Sequence, residues 1–179
     1  MPIALQQEGP ADRDPKWHVL WTRSHCEQVV HDQLAAAGFN PFLPKLDIWS
    51  RRGRLRHLSR TPMFPGYLFL NNALDKGSYI EVRKARGLVA VLGERWDRLA
   101  AVPEQEIEAV RTLSCSGVPS LPYPYLKEGM RVRVERGPLC GVEGILVRRR
   151  PDKGTLVLSI GLLQRSVAAE IDCTAAVPA

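Results

Sequence analysis

The four cysteines stand at 26, 115, 140 and 173, and no two of them form a C-x-x-C pair. That absence excludes a zinc ribbon and a dithiol redox motif. Long apolar runs are missing as well. Stretches such as Leu88 to Leu92 fall far below the ~20 residues of a membrane-spanning helix, so no such span is expected. The first fourteen residues hold Glu8, Asp12, Arg13 and Asp14 and no apolar block, which does not read as a secretory signal. Residues 1–14 are expected to be a flexible tail. The chain is placed in a reducing cytoplasm, its thiols buried and structural. Catalytic signatures are absent too: there is no G-x-S-x-G, no phosphate-cradling glycine loop and no H-E-x-x-H. The four histidines lie in the N-terminal third, and His25 and Cys26, adjacent on a helix, point apart. No enzyme, cofactor or metal is expected.

What remains is an ordinary globular composition, 45% hydrophobic and 25% charged, over 179 residues. That length suits one domain or two small ones. The net charge of +6 is clustered. Lys45, Arg51, Arg52, Arg54, Arg56 and Arg60 face only Asp47, and Arg148, Arg149, Arg150 and Lys153 face only Asp152. Runs of this kind are either solvated loop tips or polyanion contacts.

One stretch, residues 114–124, carries three prolines, three serines and a glycine and no charge. It reads as a semi-extended linker between a domain over 15–113 and a second over 125–179, leaving the second domain free to reach its own partner. The first block alternates strand and helix signals. Trp17 to Trp21 suits a buried strand. Ser24 to Glu27 and Ser78 to Glu81 each fit a capping box, with Val30 and Leu34 on one helical face and Gly38 as a stop. Strands follow at Asn40 to Leu46 and Gly66 to Leu70 around a basic hairpin, and another lies at Leu88 to Leu92. Pro103 opens a last helix with Glu104 and Glu106 in its first turn and Ile107 and Val110 inward. The order β-α-β-β-α-β-α implies an α+β sandwich on a mostly antiparallel sheet. The second block alternates at Met130 to Val134, its apolar face on Met130, Val132 and Val134, and continues with short strands at 142–147, 155–160 and 165–171 between glycine and proline turns. It reads as a small all-β barrel of the SH3-like kind.

Two motifs occur in a telling order. Met63-Phe64-Pro65-Gly66-Tyr67-Leu68-Phe69 resembles the signature of the N-terminal domain of NusG-type transcription elongation factors, and Arg86-Gly87-Leu88-Val89 resembles the R-G-V that follows it. Beyond the linker, residues 132–144, with the Gly137-Pro138 step and spaced glycines, resemble a KOW motif. The resemblance covers nearly the whole chain. It implies a transcription elongation or antitermination factor that docks on RNA polymerase at the largest-subunit clamp and favours its processive state. Phe64, Pro65, Tyr67 and Phe69 would form the docking segment, Tyr67 and Phe69 as contacts and Phe64 buried behind them. Ser78 and Tyr79 align with the loop that touches the β-subunit gate in specialised members. Arg23 and His25, with the backbone amides before the first helix, would meet the non-template DNA strand, and Arg51, Arg52, Arg54 and Arg56 would add nucleic-acid affinity. Leu162 and Leu163 fall where relatives contact the small ribosomal subunit or Rho.

The arginine-rich insert and the long tail favour a specialised antiterminator of the RfaH, UpxY or LoaP type, acting as a monomer away from membranes. A housekeeping NusG working with Rho and the ribosome is the alternative, as is a KOW-type RNA- or ribosome-binding protein, which leaves Phe64 to Phe69 unexplained.

Overall fold

The computed structural model describes residues 14–52, 55–123, 129–148, 153–172 and 175–179. The N-terminal part is built on a five-stranded antiparallel sheet with β1 (Lys16–Thr22) at its centre. It is flanked by β5 (Tyr67–Asn72) and β6 (Leu88–Val91), with β2 (Asn40–Phe42) outside β5 and β9 (Ala101–Val102) against the start of β1. Strand alternation divides the apolar residues between two faces. Leu20, Leu68 and Leu70 pack with Val30 and Leu34 of α1 (Glu27–Ala36) and Val82 of α2 (Lys76–Arg83). Trp17, Val19 and Phe69 pack with Ile107, Val110 and Leu113 of α3 (Glu104–Cys115).

The helix boundaries differ from the sequence expectation in an instructive way. Neither capping box forms. Cys26 is the N-cap of α1 without a side-chain bond, and Glu27 turns elsewhere. At α2 the cap is Asp75, whose carboxylate accepts from the Ser78 amide at 2.7 Å; Asp is as good a cap as Ser, and it stands one turn earlier. The end of α1 follows expectation. Gly38 adopts φ 83°, and the amides of Gly38 and Phe39 close on the carbonyls of Ala35 and Leu34, a Schellman stop.

The single strand expected over 40–46 splits into β2 and β3 (Lys45–Arg52), since Pro44 has no N–H for a ladder. With β4 (Leu55–Pro62), β3 forms the basic hairpin in register Asp47↔Arg60 to Arg52↔Leu55. A second small hairpin, β7 (Gly93–Arg95) with β8 (Arg98–Leu99), carries no sequence signal strong enough to announce it.

The C-terminal part is a six-stranded antiparallel sheet in the order β10-β14-β13-β12-β11-β15. Its strands are β10 (Ser120–Tyr123), β11 (Met130–Val134), β12 (Glu143–Arg148), β13 (Lys153–Ile160), β14 (Arg165–Asp172) and β15 (Ala176–Pro178), with a 3-10 turn at Gly161–Leu163. Among the described residues no pairing joins β10 to β15, so the expected barrel is an open path of strands here. Val132 and Val134 are buried, but Met130, expected inward, is 53% exposed at the start of β11.

The stretch expected as a free linker is used structurally. Helix α3 runs through Ser114 and Cys115, and Ser120–Tyr123 pairs with β14 in register Ser120↔Ala169 to Tyr123↔Ser166. The C-terminal sheet is therefore held against the N-terminal part rather than left free. Ile107, Val110 and Leu113 share one continuous core with Val132, Leu156, Leu158 and Ile160. Among the described residues, no helix is long and apolar enough to cross a membrane.

Candidate functional site

The turn before β5 is built to bury two residues and present two others. Met63 and Phe64 are buried, the Met63 amide donating to the Pro44 carbonyl at 2.8 Å and the Phe64 ring standing edge-on to Phe69 at 5.9 Å. Pro65 is exposed. Gly66 takes φ 85°, a left-handed conformation that a side chain would strain. Its carbonyl accepts from the Thr22 amide at 2.9 Å, and its N–H donates to Glu27 Oε1 at 2.7 Å. Tyr67, half-buried, stands opposite Trp21, which is 45% exposed. Trp21, Pro65 and Tyr67 thus form an accessible patch, two aromatic rings and a proline, at one end of the β1–β5 ladder; it is called the aromatic edge below.

Phe69 does not belong to that edge. It lies on the same strand face as Tyr67 but two residues further in, fully buried against Phe42 and Phe64 under α3. Alternation places Tyr67 and Phe69 on one face; the packing of α3 makes one a surface residue and the other core. The contact role expected of Phe69 is corrected accordingly. Trp21 closes the run expected as a buried strand, yet it is exposed, and its cross-strand pairing with Tyr67 follows only from the β1–β5 register.

The C-terminal sheet reaches this edge. The Arg165 guanidinium lies over the Tyr67 ring, 5.4 Å from its centroid. The turn at Gly161–Leu163 seats against β9, with Leu163 half-buried against the shared core and Leu162 exposed. Beside it, the Gly161 amide donates to Glu106 Oε2 at 3.1 Å. Burial pushes the Glu106 carboxyl above its ordinary range, and the Gly161 N–H partly offsets this. Arg131 and Glu143 line the same cleft, of about 320 Å³.

The corner before α1 holds Arg23 and His25, both exposed, His25 at φ 61°. Its backbone is not the open anion cradle expected. The Arg23 amide donates to the Gly87 carbonyl at 2.8 Å, and the Cys26 amide to the Arg23 carbonyl at 3.0 Å. That first bond brings in Arg86, a residue without an expected role. The Gln33 side chain holds it by its backbone, accepting from the Arg86 amide at 3.0 Å and donating to its carbonyl at 3.2 Å. Gly87 is required between them, since a Cβ there would stand 2.8 Å from Cys26 Cβ. The bond from Arg23 to Gly87, the neighbour of Arg86, is a tertiary one that no local pattern announces.

The other expected residues are placed differently. The Ser78 amide is spent on Asp75, and Tyr79 packs against the Leu20–Leu68 core, which leaves exposed Ile80 as the outward residue of that turn. Arg51 stands opposite Arg56, and Arg52 opposite Leu55, near the end of the β3–β4 hairpin, while Arg54 lies outside the described residues. Nearer the base, Arg60 pairs with Asp47 at 3.2 Å.

Comparison with known proteins gives this arrangement its context. A family model described as "Transcription termination factor nusG" matches residues 15–111. The Transcription termination/antitermination protein NusG of Yersinia pestis is 26% identical over 151 residues, covering 84% of this chain and 82% of its own length. Its counterpart in Escherichia coli (strain K12) is 26% identical over 131 residues, covering 73% and 72%. A solved structure described as domain interaction in Thermotoga maritima NusG aligns with 91% of this chain and 96% of that chain at TM-score 0.55 and 16% identity, a likeness of fold. With the family model spanning more than half of its length, the chain belongs to the NusG family of transcription termination/antitermination factors.

Proposed function

We propose that this protein binds RNA polymerase and promotes processive elongation as a specialised antiterminator, in the cytoplasm and without chemistry of its own. The observation that carries the reading is the aromatic edge of Trp21, Pro65 and Tyr67. Aromatics held half-exposed on a rigid sheet are the usual anchors of protein interfaces. The partner surface is the largest-subunit clamp, with the turn of Ser78, Tyr79 and Ile80 at the β-subunit gate, Ile80 outward and Tyr79 packed behind it. Arg23, His25 and Arg86 face the non-template strand, where aromatic and basic groups together suit single-stranded DNA. Arg51, Arg52 and Arg56 on the hairpin, with Arg54 next to them in sequence, add a salt-sensitive contact with phosphates.

The packed C-terminal sheet extends the reading. Arg165 covers Tyr67 while Leu163 is tucked against the shared core. Polymerase at the aromatic edge and a ribosomal or Rho-type partner at Leu162 and Leu163 would therefore both favour separation of the two parts. Two ligands that favour the same open state assist one another.

The test is capture of the intact protein on core RNA polymerase and on ribosomes, with pausing followed on a defined template. Binding to polymerase with relief of pausing supports the proposal. Binding to ribosomes alone supports the KOW-type alternative.

A further inference from the structure

Gly66 is gripped from both sides, by the Thr22 amide on its carbonyl and by the Glu27 carboxylate on its N–H. Glu27 is only 6% exposed, and a buried carboxylate is tolerated only where hydrogen bonds satisfy it. It opens α1 yet does not cap it: the helix start lacks any side-chain cap, and the carboxylate crosses to a turn 39 residues away in sequence. The Glu27 bond holds the Pro65–Gly66 peptide and the Thr22 bond the Gly66–Tyr67 peptide, so the turn between Pro65 and Tyr67 is fixed on both sides, and Trp21 Cδ1 lies 4.0 Å from where a Gly66 Cβ would stand. The Glu27 bond also ties the turn before β5 to the helix carrying Val30 and Leu34, the anchors of the opposite sheet face.

We infer that Glu27 is a positioning residue for the docking edge: its carboxylate fixes the Gly66 peptide and, through it, the presentation of Pro65 and Tyr67 beside Trp21. Glu27 touches no partner itself. The inference rests on the reading that this edge docks on polymerase.

The experiment uses the intact chain and three substitutions, Glu27→Ala, Glu27→Gln and Glu27→Asp, with Tyr67→Ala as a control. The Gly66 amide proton is followed by NMR, and affinity for core RNA polymerase is measured in parallel. Glutamine keeps a carbonyl at the same reach, whereas aspartate keeps the charge one methylene too short. Glu27→Ala and Glu27→Asp should shift the Gly66 amide upfield and weaken polymerase binding about tenfold, ~1.4 kcal/mol at room temperature, while Glu27→Gln stays within about threefold of wild type. Wild-type binding by Glu27→Asp, or a Glu27→Gln as weak as Glu27→Asp, overturns the inference even if the alanine variant does not fold. An unchanged Gly66 amide in Glu27→Asp overturns it independently of any partner. If Tyr67→Ala binds polymerase like wild type, the docking reading has failed instead, and the amide shift alone decides the positioning role.

Discussion

At the scale of single residues, the Arg165 side chain sets the balance between the exposed edge and its cover. Arg165→Ala removes the cation over Tyr67 without touching the edge itself. Contacts of this kind contribute about 0.5–1 kcal/mol near a surface, so the variant is expected to bind polymerase two- to fivefold more tightly in a titration with intact protein. A loss of affinity would mean that Arg165 contacts the partner directly. Gly144 is a structural counterpart. A Cβ there would lie 2.7 Å from the Val157 carbonyl and 2.9 Å from the Leu158 side chain, so β12 and β13 would have to part. Gly144→Ala is expected to cost about 1–3 kcal/mol, read as a lowered denaturation midpoint. Glu27 illustrates the limit of local reading. Ser24 and Glu27 satisfy the capping-box spacing, but the Gly66 amide offers the carboxylate a buried, long-range partner, and spacing rules are blind to it.

At the scale of elements, the helices and most strands were legible because each carries its own period. Val30 and Leu34 repeat at helical spacing, and Val132 and Val134 alternate. The β7–β8 hairpin and β15 were not, being too short for a pattern to accumulate. The basic hairpin was legible as charge, and its consequence is testable. Each phosphate neutralised adds about 0.9 to the slope of log affinity against log salt on duplex DNA. Replacing Arg51, Arg52, Arg54 and Arg56 with serine should flatten that slope by a few units; an identical slope would make the hairpin a solvated arm.

The first turn of α3 gives a pH dependence with a definite sign. Burial between the two parts raises the Glu106 pKa above that of a solvated helix residue. The packed form therefore holds the proton more tightly, so packing strengthens as pH falls into the carboxylate range and that gain is lost as pH rises through the raised value. The charged groups facing it are Arg131 and Glu143, and Glu143 is already paired with Arg133. Glu106→Gln should favour the packed form at neutral pH and abolish the dependence, read as an interdomain distance followed from about pH 7 to about pH 4.

At the scale of the whole molecule, the two-part organisation and the family resemblance were readable, but the joint core was not. An amphipathic α3 states that Ile107, Val110 and Leu113 are buried; it cannot state that Leu156, Leu158 and Ile160 share their core. An uncharged, proline-rich stretch looks like a tether, and only the Ser120↔Ala169 register turns it into a strand. The C-terminal sheet itself is expected to keep its β structure in the intact chain. Val132, Val134, Val157 and Ile160 are β-branched, and a helix there would have to carry Gly144 at about 1 kcal/mol relative to alanine. Helical backbone shifts at Leu156 to Ile160 would contradict this.

The aromatic edge is what the proposed docking on polymerase depends on. Its most direct measurement is the affinity of the intact protein for core RNA polymerase, wild type against Tyr67→Ala, with folding of the variant checked by its NMR spectrum. Wild-type binding that weakens by ~2 kcal/mol, roughly thirtyfold, in the variant is the predicted result. A protein that ignores polymerase, or binds it equally well without the Tyr67 ring, would contradict the account.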